Sequence, residues 1–198
     1  LLIGIWFANG LLVTAHWLFL LGVGRFTQTQ LSRGWYLVFV VWLALLVVPE
    51  EPQWSKLMLL VNSLLVAVLA LKASALLRPH GKSLSVGAVQ LRYVLLMHGL
   101  FYVAKAITAV VPGTLIDLAA FRGQIIQISL VEGAMAIMLI ALSMTGTERY
   151  RREKRIARLA ARDPLTALYN RRALEKRAPR LLEHVSPEHP GALLLMDI

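Results

Sequence analysis

Long apolar stretches separated by short polar breaks dominate the first three quarters of the chain. Five of them approach or meet the roughly 20 residues that a helix needs to cross about 30 Å of hydrocarbon. They run over Leu1–Val23, Trp35–Pro49, Leu57–Leu77, Val86–Val111 and Leu115–Thr145. The second is the shortest and reaches span length only as 33–49, with Gly34 continuing the helix at its start. A bilayer core offers no water to unpaired backbone groups, so these runs are predicted to be helices and not strands. After Gly146 the pattern changes. Thr147–Arg162 is charged, free of Gly and Pro and rich in good helix formers, and is predicted to continue the fifth span as one helix. Arg152, Ile156, Leu159 and Asp163 fall at spacings of four, three and four, a two-turn fragment of a heptad seam with two apolar members that suits a parallel homodimer.

Composition sharpens this picture. Hydrophobic residues make up 58% of the 198 positions and charged ones 16%, against about 45–50% and 25% in soluble domains, which places most of the chain in a lipid bilayer. The net charge of +10 invites a nucleic-acid reading until it is located. Arg149, Arg151, Arg152, Lys154, Arg155 and Arg158 sit directly after the last span with no base-stacking aromatics interleaved, so they are read as fixing orientation and binding anionic headgroups, not nucleic acid. The connections alternate in character. Arg25 and Arg33 flank the first, Glu50 and Glu51 mark the second, Lys72, Arg78 and Lys82 surround the third, and the fourth is near neutral. By the positive-inside rule the first and third connections and the C-terminal part are cytoplasmic. The expected location is the cell inner membrane, multi-pass. The absence of cysteine excludes disulfides and thiol catalysis. The chain reads as cut at both ends, with one upstream span expected before Leu1.

Ionisable residues inside such segments are candidate functional groups. His98, Tyr102 and Lys105 share one helix face. His98 lies about 18 Å from the start of its span and Glu132 about 21 Å from Gly146, so the two are expected to pair across a helix interface. The pair serves either as a structural hydrogen bond or as a pH-responsive couple. Asn9, His16 and Asn62 read as structural polar residues.

The remaining residues read as helix, turn, helix, loop and strand. Pro164 ends the connector helix at Asp163, Leu165 and Leu168 are expected to point inward, and an amphipathic helix follows over Arg171–Val185. Ser186–Gly191 forms a loop. Ala192–Met196 is an apolar run ending in Asp197, the pattern of a buried strand with a carboxylate at its tip. The order Asp163, Leu165, Thr166, Leu168, Tyr169, Asn170, Arg171, Arg172, followed by a helix and a strand ending Asp197-Ile198, resembles the opening of the GGDEF family of diguanylate cyclases. Ala167 stands where that family usually has glycine.

The resemblance covers 163–198 and implies a fold and an activity. The expected architecture is an all-α polytopic membrane domain (1–146), a helical linker (147–162) and the start of an α/β, palm-like nucleotidyl cyclase domain (163–198). The implied activity is condensation of two GTP into cyclic di-GMP by a homodimer. Mg²⁺ would be held by the Asp197 carboxylate and the Ile198 backbone carbonyl, a hard-oxygen set suited to that ion. Asp163, Leu165, Thr166, Leu168, Asn170, Arg171 and Arg172 would form a structural and regulatory hinge. The signature loop is expected beyond Ile198, so the 198 residues alone are not expected to cyclise GTP. A receptor with a degenerate GGDEF domain and a membrane transporter are the alternatives.

Overall fold

The computed structural model describes residues 2–47, 54–78, 85–111, 124–163, 165–183 and 185–192. They form two compact units, Leu1–Thr147 and Glu148–Ile198, with the boundary inside one long helix. The helices are α1 (Leu2–Phe26), α2 (Leu37–Ala44, entered through a 3₁₀ turn at Arg33–Tyr36), α3 (Trp54–Leu76), α4 (Val86–Val110), α5 (Gln124–Leu159) and α6 (Arg171–Leu182). No strand occurs among the described residues. The apolar run expected to form one ends in residues 193–198, outside the described set.

Among the described residues four helices, α1, α3, α4 and α5, are long and apolar enough to cross a membrane. This corrects the expectation of five. The second apolar run forms a shorter apolar helix, Arg33–Ala44, whose 3₁₀ turn and α-helical part together rise about 20 Å and fall short of the hydrocarbon thickness. Gly34 lies within a 3₁₀ turn where an α-helical start was expected, and the helix stops at Ala44 in a turn. Of the fifth expected span, the described helix begins at Gln124, and 112–123 lie outside the described residues. The same helix continues through the charged connector to Leu159.

Within the first unit α3 is the most enclosed helix. Met58, Asn62, Val66, Leu69, Ala70 and Ala73 are all buried, and α1 and α4 flank it. The main core joins Val13, Leu20 and Val23 of α1, Val38 of α2, Leu69, Ala73 and Leu77 of α3, and Leu91 and Leu95 of α4. A smaller cluster gathers Leu45, Trp54 and Met58, with Trp6 stacked on Trp42 at 3.9 Å between ring centres. Between apolar helices in lipid, association rests on close packing and hydrogen bonds because burial against acyl chains gains little. Two features supply that closeness. The indole of Trp42 lies directly over Gly10, which has no side chain in its way. Gly87 of α4 packs on the backbone of α5, where an added Cβ would meet the Ser143 carbonyl, Thr147 Oγ1 and Thr147 N.

Polar atoms are placed where the helices touch. Ser85 caps α4 by accepting from the Ala88 N–H at 3.2 Å and donates to Thr147 Oγ1 at 3.4 Å. Ser74 of α3 donates to the Arg92 carbonyl of α4 at 2.9 Å.

The Gly87 contact gives a direct test. A methyl group there has to displace backbone, so Gly87→Ala is expected to destabilise the first unit by about 1–3 kcal/mol. Thermal unfolding of the membrane-reconstituted protein should show a lowered midpoint, and an unchanged midpoint would refute the close approach.

Candidate functional site

Two constellations of polar residues stand out, one in each unit. In the first unit, α1, α4 and α5 each contribute one ionisable side chain to a line of contacts. His16 Nδ1 lies 2.8 Å from the Leu12 carbonyl one turn back along α1. Its Nε2 lies 2.9 Å from His98 Nε2 on α4. His98 Nδ1 in turn lies 2.7 Å from Glu132 Oε1 on α5. The two imidazole planes differ by 3° with centres 5.2 Å apart. With the Nε2 atoms in contact, the rings therefore meet end to end and almost coplanar, as a nitrogen-to-nitrogen hydrogen bond requires.

A carbonyl only accepts, so the Leu12 contact places a hydrogen on His16 Nδ1. His98 is buried, and Glu132 is about one-fifth exposed. The second carboxylate oxygen, Oε2, is buried and has no hydrogen-bond partner among the described residues. Tyr102, buried one turn beyond His98, tilts its ring at 54° to that imidazole, and Lys105 Nζ lies 5.1 Å from the Tyr102 ring centre. Beside the line, α4 and α5 form a groove of about 560 Å³ whose lining includes Val94, Met97, Phe101 and Val131 together with His98 and Glu132.

The structure thus brings His98 and Glu132 together and adds His16, which sequence reasoning had left as a structural residue. A usable signal was present. His16 lies ten residues before the end of α1, about 15 Å, close to the depth used to match His98 with Glu132. Asn62 donates to the Met58 carbonyl at 2.9 Å within α3 and does not join the line.

The second constellation is the turn between α5 and α6. Asp163 Oδ1 accepts from the Leu165 N–H at 3.0 Å, the Thr166 N–H at 2.9 Å and the Thr166 hydroxyl at 3.1 Å. The Asp163 N–H donates to the Leu168 carbonyl, and the Ala167 N–H returns to the Asp163 carbonyl. Ala167 has φ 58°, in the left-handed region. Asn170 works in both directions. Its Oδ1 accepts from the Ala173 N–H and caps α6, while its Nδ2 donates to the Ala160 carbonyl at 2.8 Å at the end of α5. Arg162 and Arg177 place their guanidinium groups 5.0 and 4.1 Å from the centre of the Tyr169 ring. Arg171 pairs with Glu175 one turn along α6 at 2.9 Å, and Arg172 is exposed.

Two expectations for this turn need correction. Leu165 and Leu168 do not point inward: they are 94% and 69% exposed, because no described residue of the second unit covers them. Asp163 does not continue a heptad seam either. The helix ends at Leu159 and Asp163 is folded into the turn, leaving Ile156 and Leu159 as the exposed apolar pair on the charged stretch of α5.

The expected Mg²⁺ ligands, Asp197 and Ile198, lie outside the described residues. Among the described residues no three His, Cys, Asp or Glu side chains gather as a metal site. No protein-family model, curated protein or solved structure matches the chain.

The turn makes two measurable claims. Bonds from the Thr166 and Leu165 backbone N–H groups, then from the Thr166 hydroxyl, hold the Asp163 carboxyl below the usual aspartate range. Its contribution to stability is complete above the unfolded value of about 3.9 and is lost as pH falls through the lower native value. The Thr166 amide resonance should titrate with a midpoint below that of free aspartate, and a midpoint at or above it would exclude these bonds. Ala167→Gly should relieve the left-handed strain and stabilise the turn by about 1 kcal/mol. Slower amide exchange at Leu168 and Asn170 would register the gain, and faster exchange would contradict it.

Proposed function

We propose that the chain is the membrane sensor, coupling helix and opening segment of a diguanylate cyclase anchored in the bacterial inner membrane, with its C-terminal part in the cytoplasm. The observation that carries this reading is the backbone at position 167. The one departure from the GGDEF opening pattern, Ala167 in place of glycine, falls on a residue with φ 58°, a conformation that glycine adopts freely and alanine does not. A ten-residue match that arose by accident has no reason to put its missing glycine where a glycine is needed.

The other motif residues have matching tasks. Asp163 closes the turn, Thr166 supplies two of its three bonds, and Asn170 joins the end of α5 to the start of α6. These are hinge roles, not catalytic ones. The exposed Ile156 and Leu159 on an otherwise charged stretch of helix support a homodimer through the connector.

In this reading each subunit binds one GTP, and Asp197 with the Ile198 carbonyl holds Mg²⁺. The ribose 3′-oxygen of one GTP, losing its proton, attacks the α-phosphorus of the other. The bond to the β-phosphate breaks, pyrophosphate leaves, and the reciprocal step closes the ring. Two half-sites have to face each other for this, so a change of subunit geometry passed along α5 can regulate the reaction.

The test uses the complete protein in lipid, supplied with GTP and Mg²⁺ and assayed for cyclic di-GMP. The unaltered protein is expected to form the product, and Asp197→Ala to lose essentially all activity while still inserting into the membrane. Activity retained in the variant would overturn the metal assignment, and no product from the unaltered protein would overturn the enzyme reading.

A further inference from the structure

The line from Leu12 to Glu132 contains three contacts at hydrogen-bond length, of 2.8, 2.9 and 2.7 Å. Each needs one hydrogen. A neutral imidazole owns one N–H, and an ionised carboxylate owns none. Two neutral histidines and an ionised Glu132 therefore bring two hydrogens to three contacts. If both rings keep theirs on Nδ1, two nitrogen lone pairs face each other across 2.9 Å. If His98 moves its hydrogen to Nε2, a lone pair on Nδ1 faces the carboxylate instead. One added proton fills every contact, and the filled set carries no net charge, which suits its apolar surroundings.

We propose that His16, His98 and Glu132 form a binding site for a single proton, which holds α1, α4 and α5 together when occupied and releases the contact between α1 and α4 when empty. A four-coordinate metal ion fits these nitrogens less well. Two ligands at zinc–nitrogen bond lengths of about 2.0–2.1 Å lie about 3.3 Å apart in a tetrahedral site, wider than the 2.9 Å found here.

The groups around the site are few. On α4, Tyr102 packs against both imidazoles, and Lys105 follows it with its charge acting on Glu132. The packed helix α3 presents no titratable residue between Lys56 and Lys72, and α2 presents none. On α5, Glu132 is the ionisable residue at this depth. The added proton is thus shared among the three named side chains.

Amide substitutions separate the two states of the site. In Glu132→Gln the amide N–H can donate to His98 Nδ1, leaving His98 Nε2–H to donate to His16. All contacts are then filled without a titrating proton. In His16→Gln the new amide donates to His98 Nε2, and His98 Nδ1–H donates to the Glu132 carboxylate. That arrangement also needs no added proton, and it has no imidazole pair.

The experiment is nuclear magnetic resonance on the full chain in lipid nanodiscs with ¹⁵N-labelled histidine. It reads the scalar ¹⁵N–¹⁵N coupling through the Nε2–H···Nε2 bond as a function of pH. In the unaltered protein the coupling should be present at low pH and vanish in one step as pH rises. Glu132→Gln should retain it across the whole range, and His16→Gln should lack it at every pH. Coupling absent throughout the unaltered protein, or lost in Glu132→Gln at the same pH as in the unaltered protein, would overturn the proposal. The measurement involves no nucleotide, so its failure and the failure of the cyclase reading are separate results.

Discussion

A carboxyl group among apolar helices has no water to turn to, and Glu132 obtains its hydrogen bond from His98 on the neighbouring helix. That one contact ties the rotation and height of α5 to those of α4. His98 then passes the same constraint to α1 through His16. Apolar side chains can slide past one another at little cost in hydrocarbon, whereas a polar line of this kind has one register in which all its atoms meet. The close approaches at Gly87 and Gly10 act in the same direction, since a backbone surface without a side chain accepts its neighbour in few positions.

The two polar constellations use hydrogen bonds differently. In the turn after α5 the partners are close in sequence and exposed, so water competes for every bond and the arrangement depends on several weak terms agreeing. Asp163, Ala167 and Asn170 are such terms, and the strained φ at Ala167 sets one of them against the rest. In the helical unit the partners are 82 and 34 residues apart and largely shielded, so each bond counts for more and a missing hydrogen has no substitute. A buried line with one variable proton is therefore suited to having two states. The exposed turn is suited to transmitting a change in the helix that precedes it, since Asn170 holds the ends of α5 and α6 to one another.

This division explains what could be read from the amino-acid order. Apolar runs of span length become helices in a medium without water because no other backbone arrangement satisfies its own hydrogen bonds, so α1, α3, α4 and α5 were legible as elements. The connector over Thr147–Leu159 was legible for a related reason: its residues favour helix and nothing in it interrupts one. The pairing of His98 with Glu132 could be anticipated because depth along a helix is simple arithmetic. The motif from Asp163 to Arg172 was legible because its spacing is local.

Only the tertiary structure decided the rest. The second apolar run has the composition of a span, yet it forms only a shorter helix, packed through Val38 and Trp42. Which face of α1 meets α4 depends on how three helices pack at once, and the hydrophobic pattern of an all-apolar helix does not mark a face. For that reason His16 could be placed in depth from the sequence but not given a partner. Sequence by itself determined which segments are helical and where their polar residues lie along the axis, because both follow from local backbone chemistry. The three-dimensional packing decided which of those residues meet, because contact between distant segments is set by the fit of whole surfaces and by the few polar atoms that must find one another.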